Sequence, residues 1–140
     1  MIDSRTAPWA ALILRVSLGL LFLAHWALKM FVFTPSGTAA FFGSLGLPPA
    51  AAYLVLVVEV AGAIALIVGI WPRIAALVVL PVLLGAIITV HGPAGWLFTN
   101  PHGGWEYLAF WPVTLVVQAL LGDGALALVP TPAPRHRAPA

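Results

Sequence analysis

The chain has 140 residues, 62% of them hydrophobic and only 7% charged, whereas a soluble domain carries about a quarter charged residues. These charges are too few to cover a water-facing surface, so the composition predicts that a lipid bilayer is the main partner. The formal net charge is +2 and cysteine is absent, and without a basic stripe or thiols we exclude nucleic-acid binding, disulfide chemistry and thiolate metal sites within this chain.

Four apolar segments in succession are each long enough to cross roughly 30 Å of hydrocarbon as a helix. They cover residues 9–33, 50–70, 74–90 and 105–121. Proline and glycine separate these segments and mark the turns between them. The pattern predicts an all-α fold, an integral membrane four-helix bundle over residues 9–121. We expect the two longer, still apolar connections to lie in the membrane interface or to fold back over the bundle.

Basic loop residues predict the orientation of the bundle, because lysine and arginine collect on the cytoplasmic side. Those outside the spans fall on one side: Arg5, Arg73, Arg135 and Arg137. We therefore expect a multi-pass protein of the cytoplasmic membrane with both termini cytoplasmic. Residues 1–8 form the N-terminal segment, and residues 122–140, rich in proline and alanine towards their end, are predicted to be a disordered tail.

Charged residues within the predicted spans are unusual, because each costs at least about 2.5 kcal/mol near the centre of a bilayer. Such groups usually face the bundle interior and pair. Judged by depth at 1.5 Å per residue, Arg15 is predicted to pair with Glu59. Lys29 is predicted to pair with Glu106, which opens the fourth helix.

One stripe of the first helix carries the unusual side chains, because Arg15, Phe22 and Lys29 recur every seven residues. We expect this stripe to face the bundle axis. Six residues are candidates for a polar pocket: Arg15, His25, Lys29, Glu59, His91 and Glu106. Alternatively, the charges only hold the helices together, or Lys29 extends to the outer interface. No histidine or glutamate spacing typical of a metal site is present, so no metal is predicted.

Several aromatic residues lie near the predicted interfaces, where indole and phenol groups anchor helices. They are Trp9, Trp96, Trp105, Tyr107 and Trp111. Most need no functional interpretation, although a minority could stack on a quinone-like ring.

Short motifs in a fixed order make the sequence resemble the DoxX family of small membrane proteins, from about Leu14 to Asp123. They include Arg15, His25 and Lys29, Leu45-Gly46-Leu47-Pro48, Glu59 with Gly62, Gly69 with Arg73, His91, and Gly103-Gly104-Trp105-Glu106-Tyr107. The resemblance implies a four-helix membrane bundle. It also implies a link to redox chemistry, since some relatives are quinone-linked subunits in thiosulfate oxidation or membrane partners of redox-defence enzymes. It implies no catalytic residue.

Together, the buried charges and the resemblance predict a redox-associated, quinone-linked membrane subunit. In this interpretation Lys29 and His25 donate hydrogen bonds to a quinone oxygen, and Glu59 or Glu106 exchanges protons. No covalent cofactor is expected. A redox enzyme and further copies of the chain are the candidate protein partners. Two alternatives stay open, a transporter of a small solute or proton and an assembly partner without chemistry, and the sequence does not decide whether the protein is an enzyme.

Overall fold

The computed structural model describes residues 3–132, which contain five helices and no β-strand. The helices are α1 (Ala7–Ala27), α2 (Pro35–Ser44), α3 (Ala50–Val68), α4 (Pro72–Ala86) and α5 (Glu106–Leu121). A π-helical turn extends α1 over Leu28–Val32, and another extends α4 over Ile87–His91.

Three of these helices are long and apolar enough to cross a membrane: Ala7–Val32, Ala50–Val68 and Pro72–His91. The apolar α5 is shorter, with 16 residues. All four begin and end within two residues of the bounds predicted from the sequence. Hydropathy and chain breakers therefore locate the helices well.

The four long helices form a closed ring, in which α1 packs against α3 and α5, and α4 packs against the same two helices. The buried centre is filled by Leu18, Phe22, Ala63, Leu66, Ala76, Val79 and Leu115. Large apolar side chains such as Val57 and Phe110 point outwards and are more than half exposed. An apolar exterior around an apolar core is the arrangement expected of a bundle that has lipid as its solvent.

The segment after α1 differs from the predicted loop, because residues 35–44 form the helix α2. Thr34 caps this helix by accepting a hydrogen bond from the Gly37 amide at 3.1 Å, and Pro35 occupies the first turn, where a missing amide proton costs nothing. The helix packs on α3 and on the π-helical turn of α1. It therefore covers one end of the bundle.

Residues 122–132, here named the return segment, are bound to the bundle, which differs from the predicted disordered tail. The Val129 amide donates to Gly69 O at 2.9 Å, and the Trp71 amide donates to Val129 O at 2.8 Å. These bonds satisfy backbone groups at the α3–α4 turn that no helix partner reaches. The rest of the predicted tail, residues 133–140, lies outside the described residues.

Close packing between α3 and α4 predicts the effect of adding one methyl group at Gly62. A Cβ atom there would collide with Val79 Cγ1, and a β-branched side chain has little rotamer freedom to yield. We expect Gly62→Ala to lower the free energy of unfolding by about 1–3 kcal/mol. Thermal unfolding in detergent micelles measures the effect.

Gly85 provides the matched control, since it too lies within a helix, α4, and a Cβ atom there meets nothing within 4 Å. Gly85→Ala should leave stability unchanged or raise it by up to about 1 kcal/mol through helix propensity. Equal effects of the two substitutions would contradict the close approach of α3 and α4.

Candidate functional site

The two ends of the bundle carry different polar groups and are named here by their basic residues. The Arg15 end comprises the start of α1, the α3–α4 turn, the end of α5 and the return segment. The Lys29 end comprises the π-helical turns, α2 and the start of α5.

A buried ion pair joins α1 to α3: Lys29 Nζ contacts Glu59 Oε1. Glu59 is only 3% exposed, and the Lys29 side chain is 26% exposed. Lys29 lies in the π-helical turn that ends α1, and such turns redirect side chains relative to a regular helix. Both predicted pairs, Arg15 with Glu59 and Lys29 with Glu106, are therefore wrong.

Arg15 is fully buried, but it binds backbone rather than an acid. Its guanidinium donates to Leu66 O and Ile67 O, both at 2.7 Å, and to Ala125 O at 3.0 Å. The first two carbonyls belong to the last turn of α3, where no further helical amide is available and the helix dipole is negative. Arg15 therefore fastens α1, α3 and the return segment together at one end, away from Glu59.

Glu106 is the first residue of α5 and binds the loop between α4 and α5. Its Oε1 accepts a hydrogen bond from the Phe98 amide at 3.0 Å, and its own amide donates to Trp96 O at 3.0 Å. His91, the last residue of the π-helical turn after α4, contacts the same loop, with Nδ1 2.9 Å from Gly103 O. Because both are engaged by loop backbone, they hold this loop in place rather than join the Lys29–Glu59 pair.

Trp111 is the residue that the sequence interpretation missed. It was predicted at an interface, yet it is 6% exposed and packs into the core. Its ring centroid lies 5.0 Å from that of Phe22 and 5.0 Å from that of His25, which meets it edge-on. A signal was available, because Leu108, Trp111 and Leu115 have the spacing of one buried helix face.

Helix register brings Trp111 and Glu59 to the same level of the bundle. A Cβ atom on Gly19 would lie 2.8 Å from Ala63 O and 2.6 Å from Ile67 Cγ1, so Gly19 faces this part of α3. Helices α1 and α3 are antiparallel. Moving six residues forward along α1 from Gly19 therefore corresponds to moving six residues back along α3 from the part that Gly19 faces. His25 therefore lies level with Glu59, one turn from Lys29.

These four residues, Glu59, Lys29, His25 and Trp111, are here named the Glu59 site. The carboxylate, ammonium, imidazole and indole groups can accept, donate and exchange protons in a surrounding of low polarity. His25 Nδ1 lies 3.0 Å from Leu21 O, which leaves its other ring nitrogen for a second partner. Among residues 3–132, no group of three or more histidine, aspartate or glutamate side chains is placed to hold a metal ion.

Comparison with known proteins supplies the family. The family model described as DoxX matches residues 10–92, which is more than half of the chain and includes Lys29 and Glu59. The chain belongs to the DoxX family. Trp111, on α5, lies beyond the matched part of this DoxX protein.

A curated relative has a redox description. The chain is 35% identical over 119 residues to the protein described as "Putative oxidoreductase CatD" from Bacillus subtilis (strain 168), and the match covers 85% of this chain and 84% of that protein. No solved structure matches this DoxX protein.

Proposed function

We propose that this DoxX protein is a quinone-linked redox subunit of the cytoplasmic membrane, crossed by all four long helices. Helix α5, with 16 residues, rises about 24 Å, close to the thickness of the hydrocarbon core. Arg5 and Arg73 lie at the Arg15 end, and by the positive-inside rule this supports our proposal that the Arg15 end faces the cytoplasm.

The buried Lys29–Glu59 pair carries the proposal. An acid inside an apolar bundle is costly, and such groups mark ligand or proton pathways by default. An ammonium has three protons to donate, so Lys29 retains donors for a ligand oxygen after binding Glu59. Its partial exposure at the Lys29 end gives a quinone head group a route from the outer part of the membrane.

The comparisons support a redox role for this protein but do not give its substrate or its cofactor. The description of the Bacillus subtilis relative as an oxidoreductase fits a subunit that works with redox chemistry. A quinone carries both electrons and protons, so the Glu59 site would handle the protons and hydrogen bonds of the head group. We propose that a partner redox enzyme exchanges the electrons with the quinone.

Binding of a short-chain benzoquinone to the purified protein tests the proposal. We expect Lys29→Ala and Glu59→Gln each to weaken binding at least about tenfold, which corresponds to the loss of one charge-assisted hydrogen bond. Equilibrium dialysis with optical detection of the quinone gives the dissociation constants, and mass spectrometry of co-purified lipids identifies any natural quinone.

Glu106→Gln is the matched control, because this acid is engaged by loop backbone and should leave quinone binding unchanged. Unaltered binding in both the Lys29→Ala and Glu59→Gln variants would show that the Glu59 site does not hold the quinone. Transport by a single copy is less well supported, because Leu66, Val79 and Leu115 fill the centre of the bundle.

A further inference from the structure

Two polar atoms of the Glu59 site are buried without a hydrogen-bond partner among residues 3–132. One is Glu59 Oε2, the carboxylate oxygen that Lys29 does not bind, and the other is the indole nitrogen Trp111 Nε1. Glu59 is 3% exposed and Trp111 is 6% exposed, so bulk water does not satisfy either atom. An unsatisfied polar atom in an apolar interior costs about 1–3 kcal/mol.

The two atoms are chemically complementary. The indole N–H can only donate, whereas an ionised carboxylate oxygen can only accept. Both belong to side chains that contact the same stretch of α1, since Trp111 packs on Phe22 and His25 and Glu59 binds Lys29. One oxygen atom that carries a proton can satisfy both atoms at once, by accepting from the indole and donating to the carboxylate.

We propose that Trp111 and Glu59 together bind the oxygen of one O–H group, with Trp111 Nε1–H as the donor to it and Glu59 Oε2 as its acceptor. Bound water and the hydroxyl of a hydroquinone share this chemistry. The hydroquinone source rests on the proposed function, and the water source does not. With a hydroquinone, Glu59 Oε2 accepts the hydrogen bond of one ring hydroxyl, and Trp111 donates to the oxygen of the same hydroxyl.

Indole resonances of the full chain test the proposal directly. The protein contains six tryptophans, so a ¹⁵N-labelled sample in detergent micelles gives few indole signals. The signal that Trp111→Phe removes belongs to Trp111, and Trp105→Phe assigns a control indole that packs edge-on against Trp96. We expect the Trp111 indole proton to lie downfield in the wild type and to move upfield in the double variant Lys29→Met with Glu59→Leu. The Trp105 signal should not move.

Titration with a short-chain benzohydroquinone then distinguishes the sources. A saturable shift of the Trp111 indole proton, with loss of its magnetisation exchange with water, supports a hydroquinone hydroxyl. If the Trp111 indole proton exchanges with water, and this exchange is unaffected by the hydroquinone but lost in the double variant, the bound group is water. That result supports the O–H site and contradicts only the proposed quinone-linked function. A Trp111 signal without water exchange, unmoved by the double substitution and by hydroquinone, overturns the inference.

Discussion

Replacing Arg15 by methionine should destabilise the protein by about 3 kcal/mol, because one buried and two partly buried carbonyl groups would lose their donor at once. Those carbonyls belong to Leu66, Ile67 and Ala125, so the damage spreads to the end of α3 and to the return segment. We expect a lower unfolding temperature in detergent micelles and faster proteolytic cleavage within the return segment. Both can be measured on the same sample.

Arg5→Gln is the control for this experiment, since Arg5 is exposed and its loss removes the same charge. Arg15→Lys should be intermediate, because an ammonium on a shorter stem cannot reach three acceptors in two elements. If Arg15→Met were as stable as Arg5→Gln, the guanidinium would not hold the return segment.

Replacing only one residue of the Lys29–Glu59 pair should lower the free energy of unfolding more than replacing both. Lys29→Met leaves a buried carboxylate without a cation and should lower the free energy of unfolding by about 3 kcal/mol. Lys29→Met combined with Glu59→Leu should regain at least half of that loss, because apolar residues of similar volume replace a buried pair at little cost. Unfolding of the single and double variants measures the coupling.

A second cycle with Glu106 checks the identity of the partner. Glu106 accepts from the Phe98 amide, so the effects of Lys29→Met and Glu106→Gln should add. Additivity between Lys29 and Glu59, with coupling between Lys29 and Glu106, would restore the pairing expected from helix depth and refute the one in the structure.

The family and the helices could be predicted from the sequence, because each depends on local pattern. The breakers around Pro35, Pro48 and Pro72 define helix ends, and the seven-residue recurrence from Arg15 correctly predicts an inward stripe, where Arg15 and Phe22 are both buried. The helix α2 was missed because a ten-residue helix with little hydrophobic periodicity resembles an apolar loop.

The partners within the site could not be predicted in the same way. Counting residues gives the depth of each charge but not its rotation around the helix axis or the length its side chain covers. Glu59 lies about midway along α3, within reach of either basic residue by depth alone. Lys29 lies in the π-helical turn at Leu28–Val32, and such a turn changes the direction of a side chain relative to a regular α-helix.

By itself, the sequence determines that this DoxX protein has four apolar helices and that costly charges lie within them, because hydropathy is a sum over neighbouring residues. Only the tertiary structure decides that Arg15 binds backbone carbonyls, that Lys29 binds Glu59, and that Trp111 packs against His25. These choices depend on the register between α1 and α3, where Gly19 lets the helices approach. They also depend on carbonyl groups that every residue carries and that no sequence pattern distinguishes.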